Sequence, residues 1–162
     1  MMKSSAFSGN AAQYVTLGID RDVFAVDVER VREILDMQPV SRVPNAPPCL
    51  VGMIDVRGDG VPVIDLRVKL GLPPAPPTGH TRIIVLEVAV GDGTRPIGLI
   101  TDRVFEVTPL ADRDLEPPPD VGIPWKSDYI QAIGRRNGTF VIVFDLARLF
   151  SSEETALAHA VG

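Results

Sequence analysis

Two blocks of this 162-residue chain recur farther along it at different offsets, and that recurrence constrains the fold more than any other feature of the sequence. At an offset of 80 residues, Gly58, Val61, Val63, Asp65, Leu66 and Leu70 fall on Gly138, Val141, Val143, Asp145, Leu146 and Phe150. At an offset of 73, Glu29-Arg30-Val31-Arg32-Glu33-Ile34 falls on Asp102-Arg103-Val104-Phe105-Glu106-Val107, and Phe24-Ala25-Val26 meets Ile97-Gly98-Leu99. Valine-rich strands match one another easily, but two collinear blocks that share polar identities favour duplication. Each half reads as strand, turn, strand, an acidic-Arg-Val turn, a proline-bearing loop, a hairpin and an Asp-Leu cap. A half of this size buries too little surface to stand alone, so the repeat predicts two similar small β-lobes packed together.

The local signals agree. β-branched runs punctuated by 14 Gly and 15 Pro predict short strands at 14–19, 23–27, 50–56, 61–66, 82–90, 95–101, 129–134 and 139–145. Asp59-Gly60 is a hairpin signal, and Pro62, which cannot donate to a ladder, places its strand at an edge or marks its start. Val28, Val31, Ile34 and Leu35 recur at helical spacing and predict one or two helical turns. Residues 72–79 and 115–124 are proline-rich loops, and 146–160 is the one long helix expected. The fold class is therefore all-β: two similar small β-barrel lobes with short helices. Lobe one covers about 13–80 and lobe two about 81–150, with strand exchange between them allowed. A loose tail at 1–12 and a C-terminal helix or tail at 151–162 flank them.

Composition excludes several functions. With 16 Lys and Arg against 21 Asp and Glu, the formal net charge is −5, a poor match for a phosphate backbone or an anionic membrane. The single cysteine, Cys49, leaves no intrachain disulfide and suits a reducing compartment. No apolar run approaches the ~18 residues of a membrane span, and the N-terminus carries no export signal, so a cytoplasmic protein is expected.

Catalytic equipment is scarce. Cys49, His80 and His159 are scattered, so no metal site is predicted, and Cys49 between Pro48 and Leu50 reads as a small buried hydrophobe. Gly91-Asp92-Gly93 lacks the lysine of a phosphate loop and reads as a hairpin turn. Asp20, Asp22, Asp112 and Asp114 are turn residues, and Asp65 and Asp145 are helix N-caps. No catalytic residue and no cofactor is expected. An interaction module fits better than an enzyme.

Three linked motifs then point to a family. Val40-Ser41-Arg42-Val43-Pro44-Asn45-Ala46-Pro47 leads into Leu50-Val51-Gly52-Met53-Ile54-Asp55-Val56-Arg57-Gly58 and on to Val61-Pro62-Val63-Ile64-Asp65-Leu66-Arg67. In order and spacing these resemble CheW, the bacterial chemotaxis coupling family, over about residues 14–150. The resemblance implies paired SH3-like five-stranded barrels and no chemistry. It implies a bridge between the cytoplasmic tips of methyl-accepting chemoreceptors and the regulatory domain of the histidine kinase CheA, in arrays at the membrane. Neither nucleic acid nor membrane insertion is implied.

The same resemblance assigns residues. Arg57 falls on the arginine of the family's Asn-Leu-Arg-Gly stretch and Glu33 on an acidic position that pairs with it, with Val31 beside them at a receptor-binding groove. Gly52, Gly58 and Asp59 fall near the kinase-facing end of the first lobe. The chain departs at Asp55 and Val56, where the family prefers Asn and Leu; an extra carboxylate there could compete for Arg57. From position alone, Arg57 reads as a turn residue in water. Against that, Arg57 meets Asn137 at the offset of 80, so the second lobe lacks the equivalent arginine, although Arg135 and Arg136 lie close by. Two other readings stay open: the same adaptor in an array for pilus motility or development, and a small β-barrel enzyme or ligand-binding protein.

Overall fold

A computed structural model describes residues 12–117 and 127–150. Among these, the β-branched runs form ten strands: β1 (Ala12–Ile19), β2 (Asp22–Asp27), β3 (Val31–Asp36), β4 (Leu50–Val56), β5 (Asp59–Asp65), β6 (Arg82–Val90), β7 (Gly93–Thr101), β8 (Arg103–Leu110), β9 (Ile130–Arg136) and β10 (Thr139–Phe144). Two one-turn helices follow the hairpins, α1 (Leu66–Lys69) and α2 (Leu146–Leu149). The tail expected at 1–12, most of the second proline-rich loop and the helix beyond Leu149 fall largely outside the described residues.

The strands make two five-stranded sheets, one ordered β8-β1-β2-β10-β9 and the other β3-β6-β7-β5-β4. Replacing each strand by its repeat counterpart (β1 by β6, β2 by β7, β3 by β8, β4 by β9, β5 by β10) turns either order into the other. Register follows as well. The parallel pair Val63–Gly98 in one sheet becomes Val143–Ala25 in the other under the offsets of 80 and 73. The sheets do not divide at residue 80: each takes two strands from one half of the chain and three from the other. Each sheet also keeps two edge strands, so the lobes are curled SH3-like sheets rather than closed cylinders. Single bridges, Ser41 to Met53 and Glu116 to Ile133, cover the outer edges of β4 and β9.

Exchange explains the core. One cluster joins Val15, Leu17, Phe24 and Val26 of the first sheet to Ile84, Leu86, Ile97 and Leu99 of the second, with Leu149 and Phe150 from α2 and its end. Phe24 stacks on Phe144 with centroids 4.8 Å apart. Separate clusters fill the outer side of each sheet: Tyr14, Ala25, Val141 and Val143 in one lobe, Ile54, Val61, Ile83 and Val85 in the other. Cys49 is buried in the shared cluster, as its flanks predict.

Three local expectations change. Residues 28–35 hold only a single 3-10 turn, Val28–Arg30, before β3 begins. A bulge at Arg32 shifts the phase of β3 by one, so Val31 opposes Leu86 while Glu33 opposes Val85. Within β3, Glu33 takes a half-buried position and Ile34 an exposed one, so Val31, Ile34 and Leu35 fall at helical spacing although the segment is a strand. The β4–β5 turn is Arg57-Gly58, with Asp59 and Gly60 already in the ladder. Both turn residues are left-handed (φ +53° and +91°), as at Asn137-Gly138 (φ +52° and +79°), the two-residue geometry that matches strand twist. Finally, Pro62 lies in an interior strand, but β5 pairs with β7 only from Val63 onward, so its missing N–H falls where one neighbour is absent.

The Asp-Leu caps form as read. The Asp65 carboxylate accepts from the Arg67 amide at 3.0 Å, and that of Asp145 from the Arg148 amide at 3.2 Å. Burial pushes the Asp65 carboxyl up, against the pull of the Val68 and Arg67 amides and the Arg67 cation, while Asp102 adds to the rise. The folded state therefore holds this proton more tightly than the unfolded chain, and Asp65 contributes less stability as pH rises through the carboxylate range. Asp65→Asn keeps a cap acceptor without the buried charge. It is expected to match or exceed the parent's urea midpoint at about pH 7 and to lose that advantage toward about pH 4. Asp65→Ala should lose about 1 kcal/mol. An Asn variant weaker than Ala would contradict this account of the cap.

Candidate functional site

The β4–β5 hairpin tip carries the charged cluster that the sequence singled out. Arg57 occupies the first turn position, and its Nη1 donates to Glu33 Oε2 on β3 at 3.3 Å. The Arg57 side chain is 80% exposed, whereas that of Glu33 is 18% exposed. A pair so open to water contributes at most about 1 kcal/mol, so its stability value is small. The left-handed backbone at Arg57 is one that Asn or Gly adopts more readily than Arg. The turn therefore holds this arginine at some conformational cost.

The bulge at Arg32 brings a second pair to the tip. Arg32 reaches Asp59 at 3.5 Å and Glu87 at 3.4 Å. Arg32, Glu33, Arg57, Asp59 and Glu87 thus form two linked sets of ion pairs between the edge strand β3, its neighbour β6 and the tip. These contacts span the open side of the curled sheet, above the cluster that contains Val56 and Val85. Asp55 does not compete for Arg57: its Oδ1 accepts the Gly58 amide at 2.8 Å and fixes the turn. Asn, the residue of the resembled motif, would accept through its amide oxygen in the same way.

The sequence-derived residues separate into three groups. Arg57, Gly58 and Asp59 share the tip, with Glu33 against it. Val31 does not share Glu33's face; the bulge turns it toward the shared interlobe core, where it is half-buried. Gly52 is buried, and a Cβ there would fall on the Ser41 carbonyl. Its absence of a side chain lets the 41 segment bridge to β4, so Gly52 shapes the edge from beneath.

The second lobe carries a comparable pair. Arg136 reaches Glu106 at 3.5 Å, from the β9–β10 hairpin to β8, one residue out of step with the repeat. Asn137 at the Arg57 position therefore does not mean that the ion pair is missing, and the contrast drawn from sequence is overturned. What differs is exposure: the Arg136 side chain is 38% exposed. A cleft of about 450 Å³ opens beside it, lined by Thr16, Val23, Arg103, Phe105, Glu106 and Arg136 among others. Arg103 and Arg135 lie over the Phe105 and Phe140 rings, at 5.9 and 4.7 Å.

Sequence reasoning missed Arg32 and Glu87, which become neighbours of the tip only through the β3–β6 pairing, and the Phe105 and Phe140 rings, half-exposed on β8 and β10. Among the described residues, no group of three or more His, Cys, Asp or Glu is placed to hold a metal ion. No helix among them is long and apolar enough to cross a membrane.

Comparison with known proteins agrees with this fold. The family model described as CheW-like domain matches residues 13–154. A chemotaxis protein CheW of Rhizobium meliloti is 31% identical over 157 residues, covering 92% of this chain and 99% of that protein. A chemotaxis protein CheW of Bacillus subtilis is 31% identical over 136 residues, covering 83% and 84%. The crystal structure of the scaffolding protein TtCheW from Thermoanaerobacter tengcongensis superposes with a TM-score of 0.80 at 27% identity, covering 89% of this chain and 95% of that one.

Proposed function

The chain belongs to the CheW-like domain family, non-catalytic scaffolds of chemotaxis, and from that membership we propose that it couples chemoreceptor tips to the regulatory domain of the histidine kinase CheA. It works by placing surfaces rather than by chemistry, in the cytoplasm at membrane-associated arrays. The observation that carries this reading is the β4–β5 tip: an 80% exposed guanidinium on a left-handed turn, tied to a largely buried Glu33. Glu33 lies three residues beyond the 3-10 turn through which the chain crosses from one sheet to the other. That position favours Arg57 and Glu33 for the receptor helix, with Val31 lining the junction. Gly58 and Asp59, which follow Arg57 in the same hairpin, and Gly52 farther back along β4 are assigned to the kinase domain. Placed charges of this kind set register and partner choice more than raw affinity.

Gly58 has φ +91°, so a side chain there would strain the turn and confuse folding with docking. Asp59, with a 59% exposed side chain, is the cleaner probe. Asp59→Lys is expected to keep the parent's melting behaviour within about 1 kcal/mol, the most an exposed pair with Arg32 is worth, and to weaken binding of the kinase regulatory domain about tenfold or more by calorimetry. Unchanged kinase affinity would move that interface off the tip.

A further inference from the structure

Arg67 closes the Val-Pro-Val-Ile-Asp-Leu-Arg motif, and the tip does not use it. Its side chain is only 15% exposed. Its Nη1 donates to Asp102 Oδ2 at 2.8 Å, and its Nε donates to the Pro73 carbonyl at 2.9 Å. The same Asp102 oxygen accepts the Asp20 amide at 2.7 Å, and the Asp102 amide donates to the Gly18 carbonyl at 3.1 Å. Asp20 lies in the β1–β2 turn in a left-handed conformation, φ +56°. Asp102 lies between β7 and β8, where the chain crosses from one sheet to the other. One guanidinium therefore ties α1 of one lobe, the proline-rich segment, the crossover and a strained turn of the other lobe.

The repeat says that the fold does not demand this. At the offset of 80, Arg67 falls on Ala147. The neighbouring Arg148 reaches Asp145 on its own cap at 3.6 Å and is 65% exposed.

We propose that Arg67 is a positioning residue that latches the two lobes at the β7–β8 crossover and so sets the width of the groove between them, a role that rests on the reading of that groove as the receptor's seat. A guanidinium suits the task because its planar fork donates in two fixed directions at once, to a carboxylate and to a carbonyl, which an ammonium does not. Charge-assisted hydrogen bonds of this kind are the stronger ones in proteins.

The test uses the full chain with Arg67→Met, and Arg67→Lys as the milder variant if the first fails to fold. Amide exchange of the free protein is read by NMR, and affinities for a receptor-tip fragment and for the kinase regulatory domain are read by calorimetry. The latch predicts exchange at Asp20 and Asp102 about tenfold or more faster in Arg67→Met, and severalfold faster in Arg67→Lys, with β6 amides unchanged. It predicts weaker receptor binding and unaltered kinase binding. Parental exchange at Asp20 and Asp102 would overturn the proposal, as would acceleration spread evenly over both lobes. Loosened amides with receptor affinity intact would uphold the latch and refute the groove as the receptor's seat.

Discussion

Arg57→Glu is expected to fold like the parent and to lose receptor-dependent kinase activation. The new carboxylate stands where the guanidinium now meets Glu33 at 3.3 Å. With the Arg57 side chain 80% exposed, the substituted group swings into water, and the melting change stays within about 1 kcal/mol. At an interface the same reversal confronts a partner in a desolvated contact, where like charges cost several kcal/mol, or roughly a hundredfold or more in affinity. Arg57→Asn is the companion. It suits the left-handed turn better, as Asn137 does in the second lobe, so the hairpin should hold or gain stability while the cation is lost. Weakened receptor binding in both variants, with native circular dichroism, separates function from fold. Retained coupling in Arg57→Glu would leave Arg57 as a solvated turn residue. The Arg136–Glu106 pair makes this test necessary, because the ion pair alone is common to both lobes.

The second large effect concerns the shared core. Phe24 is 1% exposed and stacks on Phe144 in the cluster that both sheets build. Phe24→Ala removes a fully buried ring and should cost about 3–5 kcal/mol. Against a total stability of about 5–15 kcal/mol, that is a large fraction. Because one buried cluster is built from both sheets, unfolding either lobe strips the apolar cover from the other, and the two are expected to unfold together. Urea denaturation should therefore show one cooperative transition, shifted to lower midpoint, by both circular dichroism and the resolved NMR amide signals of each lobe. Two separated transitions would mean that the lobes are independent.

The repeat made the architecture legible, because the offsets of 73 and 80 reappear as matching strand orders and as matching parallel pairs. The exchange of strands was harder to read, since pairing β2 with β10 is a long-range choice that no local pattern encodes. β3 and β8 were missed as strands for a physical reason. Each is an edge with a half-exposed or exposed pattern, and in β3 Glu33 sits on the half-buried side while Ile34 faces out, so the residue types hide the alternation. At the site, Arg57 and Glu33 came together as the resemblance implied, and the turn chemistry of Arg57-Gly58 was in the sequence although Asp59-Gly60 drew attention first. Gly52 was placed near the right strand but in a packing role, which only the path of the Ser41 segment discloses. Arg32, Glu87, Arg67 and Asp102 depend on cross-strand register and on crossovers, so their partners could not be assigned without the fold.

The coupling role itself is tested by sedimentation of the purified chain with a receptor-tip fragment and the kinase regulatory domain, separately and together. The account predicts a complex with each and a three-component complex when both are present, the latter lost in Arg57→Glu while the kinase pair survives. A chain that binds neither partner, or whose two partners exclude one another, would contradict it.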